Sequence, residues 1–278
     1  MSANLASPDL VEAEVNYLLH TGQRPSNYAY PPPPGVPQRT GIPDPRRVQI
    51  ANARTLPEPP SLDVHGFERR SRPTAVTDFS DEEQIRTIYY REAEDILREA
   101  TGAEKIVIFD HTLRSSAPSR PDATREPVRS VHNDQTFVSG PRRVRDHLPA
   151  DEAAARLDQR FAIINLWRPI GNAAESWPLA VLDGRTLEAA DLVPADLIYR
   201  DKVGETYAIV HRASHRWFYF PRLQTDEFVL LKIYDSKPDG IVRLTAHTAF
   251  EDPTSRPDAP ARQSIELRSL VFCGAGPG

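Results

Sequence analysis

The sequence predicts a mainly β protein of the sandwich or jelly-roll class, with a few flanking helices. Short apolar runs separated by clusters of Pro, Gly, Asp and Asn fill its second half, without the strand–helix alternation of a doubly wound sheet. Proline accounts for 27 of the 278 residues, which disfavours a mainly helical protein because proline breaks helix interiors. The predicted strands lie at residues 129–136, 160–168, 178–183, 206–211, 215–220, 227–234, 241–247 and 263–272.

The N-terminal part of the chain is rich in proline. The run at residues 31–34 and the further prolines up to residue 60 favour extended polyproline geometry. One interpretation is a ligand for a proline-recognition domain, but an arm packed on the protein's own surface is the preferred one. We therefore expect residues 1–60 to form an irregular arm and residues 61–278 to form a single domain.

One clear helix precedes the strands. Ser80 and Glu83 have the spacing of a capping box, and apolar residues then recur at helical spacing until Gly102, which is expected to end the helix. The β-branched run at residues 105–109 predicts a buried strand, so the helix should pack beside a sheet. A second helix is expected at residues 151–158.

Composition and charge exclude several classes of protein. No uncharged apolar run approaches the roughly 18 residues that a membrane span needs, so no membrane partner is expected. The net charge of −5 has the wrong sign for binding phosphate backbones, so nucleic acid is not expected either. The N-terminus shows no signal or transit peptide, and Cys273 is the single cysteine. A cytoplasmic location is expected, while the oligomeric state stays open.

A histidine and an aspartate lie two residues apart in the predicted strand at 129–136. Because side chains alternate along a strand, His132 and Asp134 project from one face and can converge on a metal ion. The pair alone is weak evidence, since a chain with 8 histidines and 39 acidic residues produces such a spacing by chance. Whether the pair binds a metal must be judged from the other residues in the sequence.

The informative residues lie further along the chain. With His247, the pair gives two histidines and one carboxylate, the facial triad of non-haem Fe(II) oxygenases. Arg262 and Ser264 follow and share a strand face, where a planar guanidinium can hold a carboxylate such as the distal one of 2-oxoglutarate. The order of these residues is the informative part of the pattern.

This order resembles that of Fe(II)/2-oxoglutarate-dependent dioxygenases. The surrounding segments are similar to one branch, which groups the cephamycin 7α-hydroxylase/methoxylase component with gibberellin-desaturase-like and fungal secondary-metabolite oxygenases. The resemblance runs from about residue 60 to the end of the chain. The matching segments are 62–67 (LDVHGF), 131–135 (VHNDQ), 165–169 (NLWRP), 177–179 (WPL), 215–219 (HRWFY), 232–236 (KIYDS), 246–250 (AHTAF) and 260–268 (PARQSIELR).

The resemblance implies a distorted double-stranded β-helix of the cupin type, with iron at one mouth. It implies His132, Asp134 and His247 as Fe(II) ligands, and Arg262 with Ser264 as the residues that hold 2-oxoglutarate. The cosubstrates would be 2-oxoglutarate and O2, and succinate and CO2 the co-products. The substrate would be a small secondary metabolite or amino acid derivative, which undergoes hydroxylation, desaturation or ring closure.

Other side chains on the predicted strand faces are candidates for substrate binding. Because the loop at residues 251–261 lengthens the interval between His247 and Arg262, Arg168 or Arg268 could hold the 2-oxoglutarate carboxylate instead. A surplus of such arginines, together with Arg243, indicates a substrate that carries a carboxylate. The substrate-binding candidates are Arg168, Arg268, Asn165, Trp167 and Tyr234.

Two other functions remain open from the residues alone. A zinc ion would also accept two histidines and one aspartate, which would give a hydrolase, although no general base lies near the triad in the sequence. A non-catalytic cupin-like binding protein would keep the fold and the pocket. His211 and His215 are alternative third ligands, but no Arg-x-Ser pattern accompanies them, so structural roles are preferred.

Overall fold

The computed structural model describes residues 9–117, 124–238 and 241–273. In these parts of the chain, no helix is long and apolar enough to cross a membrane. The strands are β1 (Leu10–Leu18), β2 (Ser26–Tyr28), β3 (Pro43–Asn52), β4 (Phe67–Ser71), β5 (Lys105–Ser115), β6 (His132–Asn133), β7 (Phe161–Pro169), β8 (Leu179–Leu182), β9 (Leu192–Ile198), β10 (Val203–Ile209), β11 (Trp217–Tyr219), β12 (Glu227–Asp235), β13 (His247–Ala249) and β14 (Gln263–Phe272). The helices are α1 (Glu82–Gln84), α2 (Tyr90–Thr101), α3 (Ser139–His147) and α4 (Ala150–Leu157), with a π-helical turn at Ile85–Tyr89 and 3-10 turns at Ala53–Thr55, Gly184–Thr186 and Ala189–Asp191.

The strands form two sheets that face each other. One has the order β1-β3-β11-β8-β13-β6-β10-β9-β2, and the other has the order β4-β12-β7-β14-β5. Side chains from both sheets meet in one core cluster, where Phe161 and Val229 of the smaller sheet pack with Val181 and Phe218 of the larger one. Two packed, mainly antiparallel sheets are a jelly-roll arrangement, so the predicted fold class is confirmed.

Strand β7 lies in the middle of the smaller sheet, and all of its residues are buried. Side chains alternate along it, so Ile163 packs between the sheets while Ile164 packs on the outer face, against the helix that contains Tyr89. The helix covers this outer face, which is why β7 reads as a continuous apolar run instead of an alternating one.

The predicted helix is present, with a different N-cap. It runs from α1 through the π-helical turn into α2, and Gly102 ends it in the left-handed conformation at φ 67°, as predicted. The capping box on Ser80 is wrong: the Asp81 carboxylate accepts from the backbone amides of Glu83 and Gln84 instead. The Ser80 hydroxyl donates to Asp78 at 2.7 Å. The aspartate one residue later takes the capping position because its carboxylate reaches both amides.

The proline-rich segment is more regular than predicted. β1 pairs along its whole length with β3, which contains Pro43 and Pro45. The part of β3 that pairs with its other neighbour, β11, is Ile50–Asn52, so the prolines lie beyond that pairing and their missing amide hydrogens do not interrupt it. The expected irregular arm therefore contributes strands to the larger sheet. The signal available in the sequence was the alternation of apolar and polar residues along residues 10–18, which matches the alternating burial of β1.

Candidate metal centre

The three predicted metal ligands come together in the structure. His132 of β6 and His247 of β13 are directly opposite each other in an antiparallel pair, and Asp134 follows two residues after His132. One ligand atom from each of the three lies within 4.8 Å of the others. The two imidazole rings are 4.4 Å apart between centroids, and His132 Nε2 lies 3.5 Å from Asp134 Oδ1. Pairing of the two short strands is what brings distant parts of the chain to one point.

The protonation states of His247 and Asp134 suit a cation. Burial lowers the pKa of His247 to about 4, so this imidazole is neutral at pH 7. Burial raises the pKa of Asp134, but opposing effects, the charge of Arg268 first among them, hold that pKa well below its usual value. Neutral imidazoles and an ionised carboxylate are the forms in which these side chains bind metals.

The histidines also keep nitrogen atoms available for a metal. His132 Nδ1 lies 2.8 Å from the Ser130 carbonyl oxygen and donates to it, which leaves the Nε2 lone pair facing the triad. The buried His247 Nδ1 has no hydrogen-bond partner in the described parts of the chain, and its Nε2 lies 4.0 Å from Glu266, beyond hydrogen-bond distance. Two such imidazoles with one carboxylate form a donor set that fits Fe(II).

Two side chains donate hydrogen bonds to one carboxylate oxygen of Asp134. Its Oδ2 accepts from Asn165 Nδ2 at 2.8 Å and from Arg268 Nε at 3.0 Å, which leaves Oδ1 on the side of the triad. Arg268 also pairs with Glu266 at 3.2 Å and with Asp110 at 2.9 Å. The structure thus places Asn165 and Arg268, both expected to bind substrate, against the carboxylate of Asp134. Glu266 was missed, although it shares a strand face with Ser264 and Arg268 at a period of two.

A cleft opens beside the triad. It encloses about 300 Å³ of empty space, part of which is open to solvent. Its lining residues are Arg114, Val128, His132, Trp167, Leu179, His247, Thr248, Ala249, Arg262 and Glu266. Trp167 and Arg262 line this cleft together with both histidines.

Arg262 and Ser264 each have a buried polar atom without a hydrogen-bond partner among the described residues. Arg262 is almost fully buried and donates from Nη1 to the Trp177 carbonyl oxygen at 2.6 Å, with its guanidinium 5.4 Å from the Trp167 ring. Its Nε and the buried Ser264 Oγ have no hydrogen-bond partner among the described residues. Burial, and then the nearby charge of Arg114, lower the pKa of Arg262 to about 9, so it is still a cation at pH 7. An anion would satisfy these donors.

Two of the predicted substrate-binding residues lie elsewhere. Arg168 follows Trp167 directly, so strand alternation turns it to the outer face of the sheet, between the rings of Tyr89 and Phe228 at 5.4 and 5.2 Å. Tyr234 stacks on Phe161 in the core at 5.2 Å. These positions correct the expected pocket placement of Arg168 and Tyr234, because neither side chain is among those that line the cleft.

The alternative ligand His215 has other partners. Its Nε2 lies 3.2 Å from Asp191 Oδ2, and its Nδ1 lies 3.1 Å from the Tyr17 hydroxyl. That hydroxyl also accepts from the Trp217 indole nitrogen at 2.8 Å. This buried network ties β1 to the larger sheet, which is the structural role expected for His215.

Comparisons with known proteins agree with this site. A family model described as "YDMC: Oxidoreductase/YMDC permease-like domain" matches residues 15–272. The hydroxylase/desaturase efuI of Hormonema carpetanum is 35% identical over 237 residues, which cover 76% of this chain and 78% of that protein. The Fe(II)/2-oxoglutarate-dependent dioxygenase nvfI of Aspergillus novofumigatus is 32% identical over 254 residues, which cover 89% of this chain and 90% of that protein.

A shorter match is 45% identical over 141 residues. It is to the aspirochlorine biosynthesis protein N of Aspergillus oryzae and spans 50% of this chain and 58% of that protein. Among solved structures, that of the iron and alpha-ketoglutarate-dependent endoperoxidase NvfI matches with a TM-score of 0.86 at 28% identity, covering 97% of this chain and 100% of that one. The predicted enzyme class and its cofactors, Fe(II), 2-oxoglutarate and O2, are confirmed, and the hydrolase and binding-protein alternatives are not favoured. The chain belongs to this oxidoreductase family, and with these relatives it is an Fe(II)/2-oxoglutarate-dependent dioxygenase.

Proposed function

We propose that this oxygenase binds Fe(II) through His132, Asp134 and His247 and oxidises an unactivated C–H bond of a small secondary metabolite. The observation that supports this most strongly is the convergence of the three ligand atoms within 4.8 Å beside a cleft lined by Arg262. Three protein ligands on one face of the ion leave the opposite positions for small molecules. Hydroxylation, desaturation and ring closure all remain possible outcomes of that oxidation.

Fe(II) together with 2-oxoglutarate activates O2 for oxidation of a C–H bond, with succinate and CO2 as co-products. The protein's own residues supply position and charge. Asn165 and Arg268 fix the Asp134 carboxylate, so one oxygen is directed to the metal position. Arg262 and Ser264 bind the distal carboxylate of 2-oxoglutarate with donors that are otherwise unpaired. Trp167 and Leu179 wall the cleft and keep water from the reacting atoms.

The substrate's apolar part has a candidate binding region next to the cleft. A second hollow, whose roughly 190 Å³ of empty space includes open solvent, shares Trp167 and Leu179 with the first. Its other lining residues are Ala174, Pro178, Phe220, Leu223 and Val229. Apolar walls beside a polar reaction centre are typical of small-molecule sites.

The arginines that motivated a substrate carboxylate are engaged elsewhere. Arg168 donates to the Thr225 carbonyl oxygen at 3.1 Å, Arg243 donates to the Asp235 carbonyl oxygen at 2.9 Å, and Arg268 pairs with Asp134. A carboxylate on the substrate is therefore not part of the proposal. The apolar side chains around the second hollow would contact an apolar part of the substrate without a carboxylate.

Two organisational points belong to the same proposal. Residues 9–60 belong to the oxygenase domain together with the rest of the described chain, which is supported by β1 and β3, two strands of its larger sheet. The enzyme works in the cytoplasm, in keeping with a chain that carries a single cysteine.

Arg262→Leu tests the cosubstrate site. We expect it to weaken 2-oxoglutarate binding about 10- to 100-fold, because a buried hydrogen-bonded charge pair contributes about 1.5–3 kcal/mol. Fe(II) affinity should stay within about twofold, since Arg262 is not a ligand. Anaerobic titration of metal-free protein with Fe(II) measures the metal affinity, and titration of Fe(II)-loaded protein with 2-oxoglutarate measures the cosubstrate affinity. Arg47→Leu is the control, because Arg47 is 80% exposed and pairs with Glu12. Unchanged 2-oxoglutarate affinity in Arg262→Leu would contradict the assignment.

A further inference from the structure

A second arginine faces the same cleft as Arg262. Arg114 lies in β5, directly opposite Ser264 of β14 in the antiparallel pair. Residues opposite each other in such a pair project from the same face of the sheet, so Arg114 and Ser264 share the inner face. Arg114 lines the cleft together with His132, His247 and Arg262. The sequence pattern gave no indication of it, because the strand was expected to end at residue 109.

Both guanidinium groups are held by uncharged partners. Arg114 Nη1 donates to the Glu126 carbonyl oxygen at 2.9 Å, and Arg262 Nη1 donates to the Trp177 carbonyl oxygen at 2.6 Å. The carboxylate that lines the same cleft, Glu266, accepts from Arg268 at 3.2 Å and from Asn165 at 3.0 Å. The positive charges of Arg114 and Arg262 are therefore oriented by the main chain, without a carboxylate bonded to either in the described residues.

Two positive charges line one cleft, and the Glu266 carboxylate, which is bonded to Arg268, offsets them only in part. The two cations are close enough for the charge of Arg114 to lower the pKa of Arg262, after the larger effect of burial. Nearby, Arg262 Nε and Ser264 Oγ are unpartnered, in residues that are only 2% and 1% exposed. Leaving such donors unpaired is costly, and a carboxylate placed between the two cations would satisfy the donors and relieve the repulsion together.

We propose that Arg114 acts with Arg262 as a paired-guanidinium site for the distal carboxylate of the 2-oxo acid, so that the cleft selects a dicarboxylate. This inference rests on the proposed function. A planar guanidinium presents two parallel donors to a carboxylate, and Ser264 Oγ adds a third. A carboxylate of the main substrate is the other source of the same chemistry, and the experiment separates the two.

The test compares two oxo acids that differ in one group. 2-Oxoglutarate and 2-oxovalerate have the same five-carbon chain and the same oxo-acid end, but 2-oxovalerate lacks the distal carboxylate. Calorimetry without oxygen measures the binding of each to Mn(II)-loaded wild type, Arg114→Gln, Arg114→Lys and the exposed control Arg47→Gln. In Arg114→Gln, 2-oxoglutarate should bind about 10- to 100-fold more weakly, while 2-oxovalerate and Mn(II) stay within about twofold. Arg114→Lys should lie between, because it keeps the charge without the planar fork.

The outcomes separate this inference from the proposed function. Unchanged 2-oxoglutarate affinity in both Arg114 variants overturns the inference. Equal weakening of both oxo acids also overturns it, since the effect would not depend on the distal carboxylate. A wild-type protein that binds Mn(II) but does not prefer 2-oxoglutarate over 2-oxovalerate contradicts the proposed cosubstrate instead. Because Arg114→Lys keeps the cation, it provides the same comparison where Arg114→Gln folds poorly.

Discussion

Asp134→Ala is expected to lower Fe(II) affinity by more than about 100-fold, the upper end of the loss seen for residues that only support a metal ligand. In the proposed triad Asp134 is the anionic ligand, and its pKa is held well below the usual value, so it carries a full charge at pH 7. The remaining pair, His132 and His247, offers two neutral donors and leaves the charge of the ion uncompensated. Turnover should fall below detection for the same reason.

The matched control for this variant is Asp110→Ala. Asp110 also pairs with Arg268, at 2.9 Å, but its side chain is 53% exposed and it is not a member of the triad. Anaerobic equilibrium dialysis against Fe(II) or Mn(II) measures the affinity directly. The account requires a large loss in Asp134→Ala and a change within about threefold in Asp110→Ala, which is the cost of an exposed ion pair. Equal affinities in wild type and Asp134→Ala would sink the ligand assignment.

Arg268→Leu is expected to lower the free energy of unfolding of the metal-free protein by about 3–5 kcal/mol, the usual cost of removing one partner of a buried ion pair. Arg268 is the cation shared by Asp134 and Glu266, whose side chains are 13% and 5% exposed. Without it, two carboxylates face each other across Asn165 with no positive charge bonded to either of them. Denaturant unfolding at pH 7 measures the loss.

The pH dependence gives this prediction a second readout. In wild type, the lowered pKa of Asp134 contributes stability above the carboxyl's unfolded pKa of about 4, and the contribution is lost as the pH falls through the folded value. In Arg268→Leu, the buried carboxylates favour their protonated forms, so the stability gap to wild type should narrow from pH 7 to pH 5. Arg268→Lys keeps the cation and should lose less. A gap that stays constant with pH would argue against the shared ion-pair role.

The sequence indicated the proposed metal ligands because their signals are local and ordered. His132 and Asp134 lie two residues apart, and His247 and then Arg262 follow in a fixed order. The structure brings His132 and His247 into direct opposition through two very short strands, β6 and β13, which no periodicity could pair in advance. Cross-strand pairing depends on distant residues, and this information is absent from any local window.

Dependence on distant residues also explains which site residues the sequence missed or misplaced. Arg114 becomes visible as a cleft residue only through its register with Ser264 on another strand. Arg168 looked like a pocket residue because both faces of β7 are buried, so the apolar pattern does not tell which face is the inner one. Strand alternation does place Arg168 and Trp167 on opposite faces of the sheet, and this difference could be predicted from the sequence.

An anaerobic titration of metal-free protein with Fe(II) and then 2-oxoglutarate tests the central claim most directly, because the bound pair gives a visible charge-transfer absorption. We predict that the band appears in wild type, is absent in His132→Ala and is weaker at a given 2-oxoglutarate concentration in Arg262→Leu. Circular dichroism of each variant confirms that it is folded. A well-folded wild-type protein that shows no band at saturating Fe(II) and 2-oxoglutarate would contradict the assignment of this site as an Fe(II)/2-oxoglutarate centre.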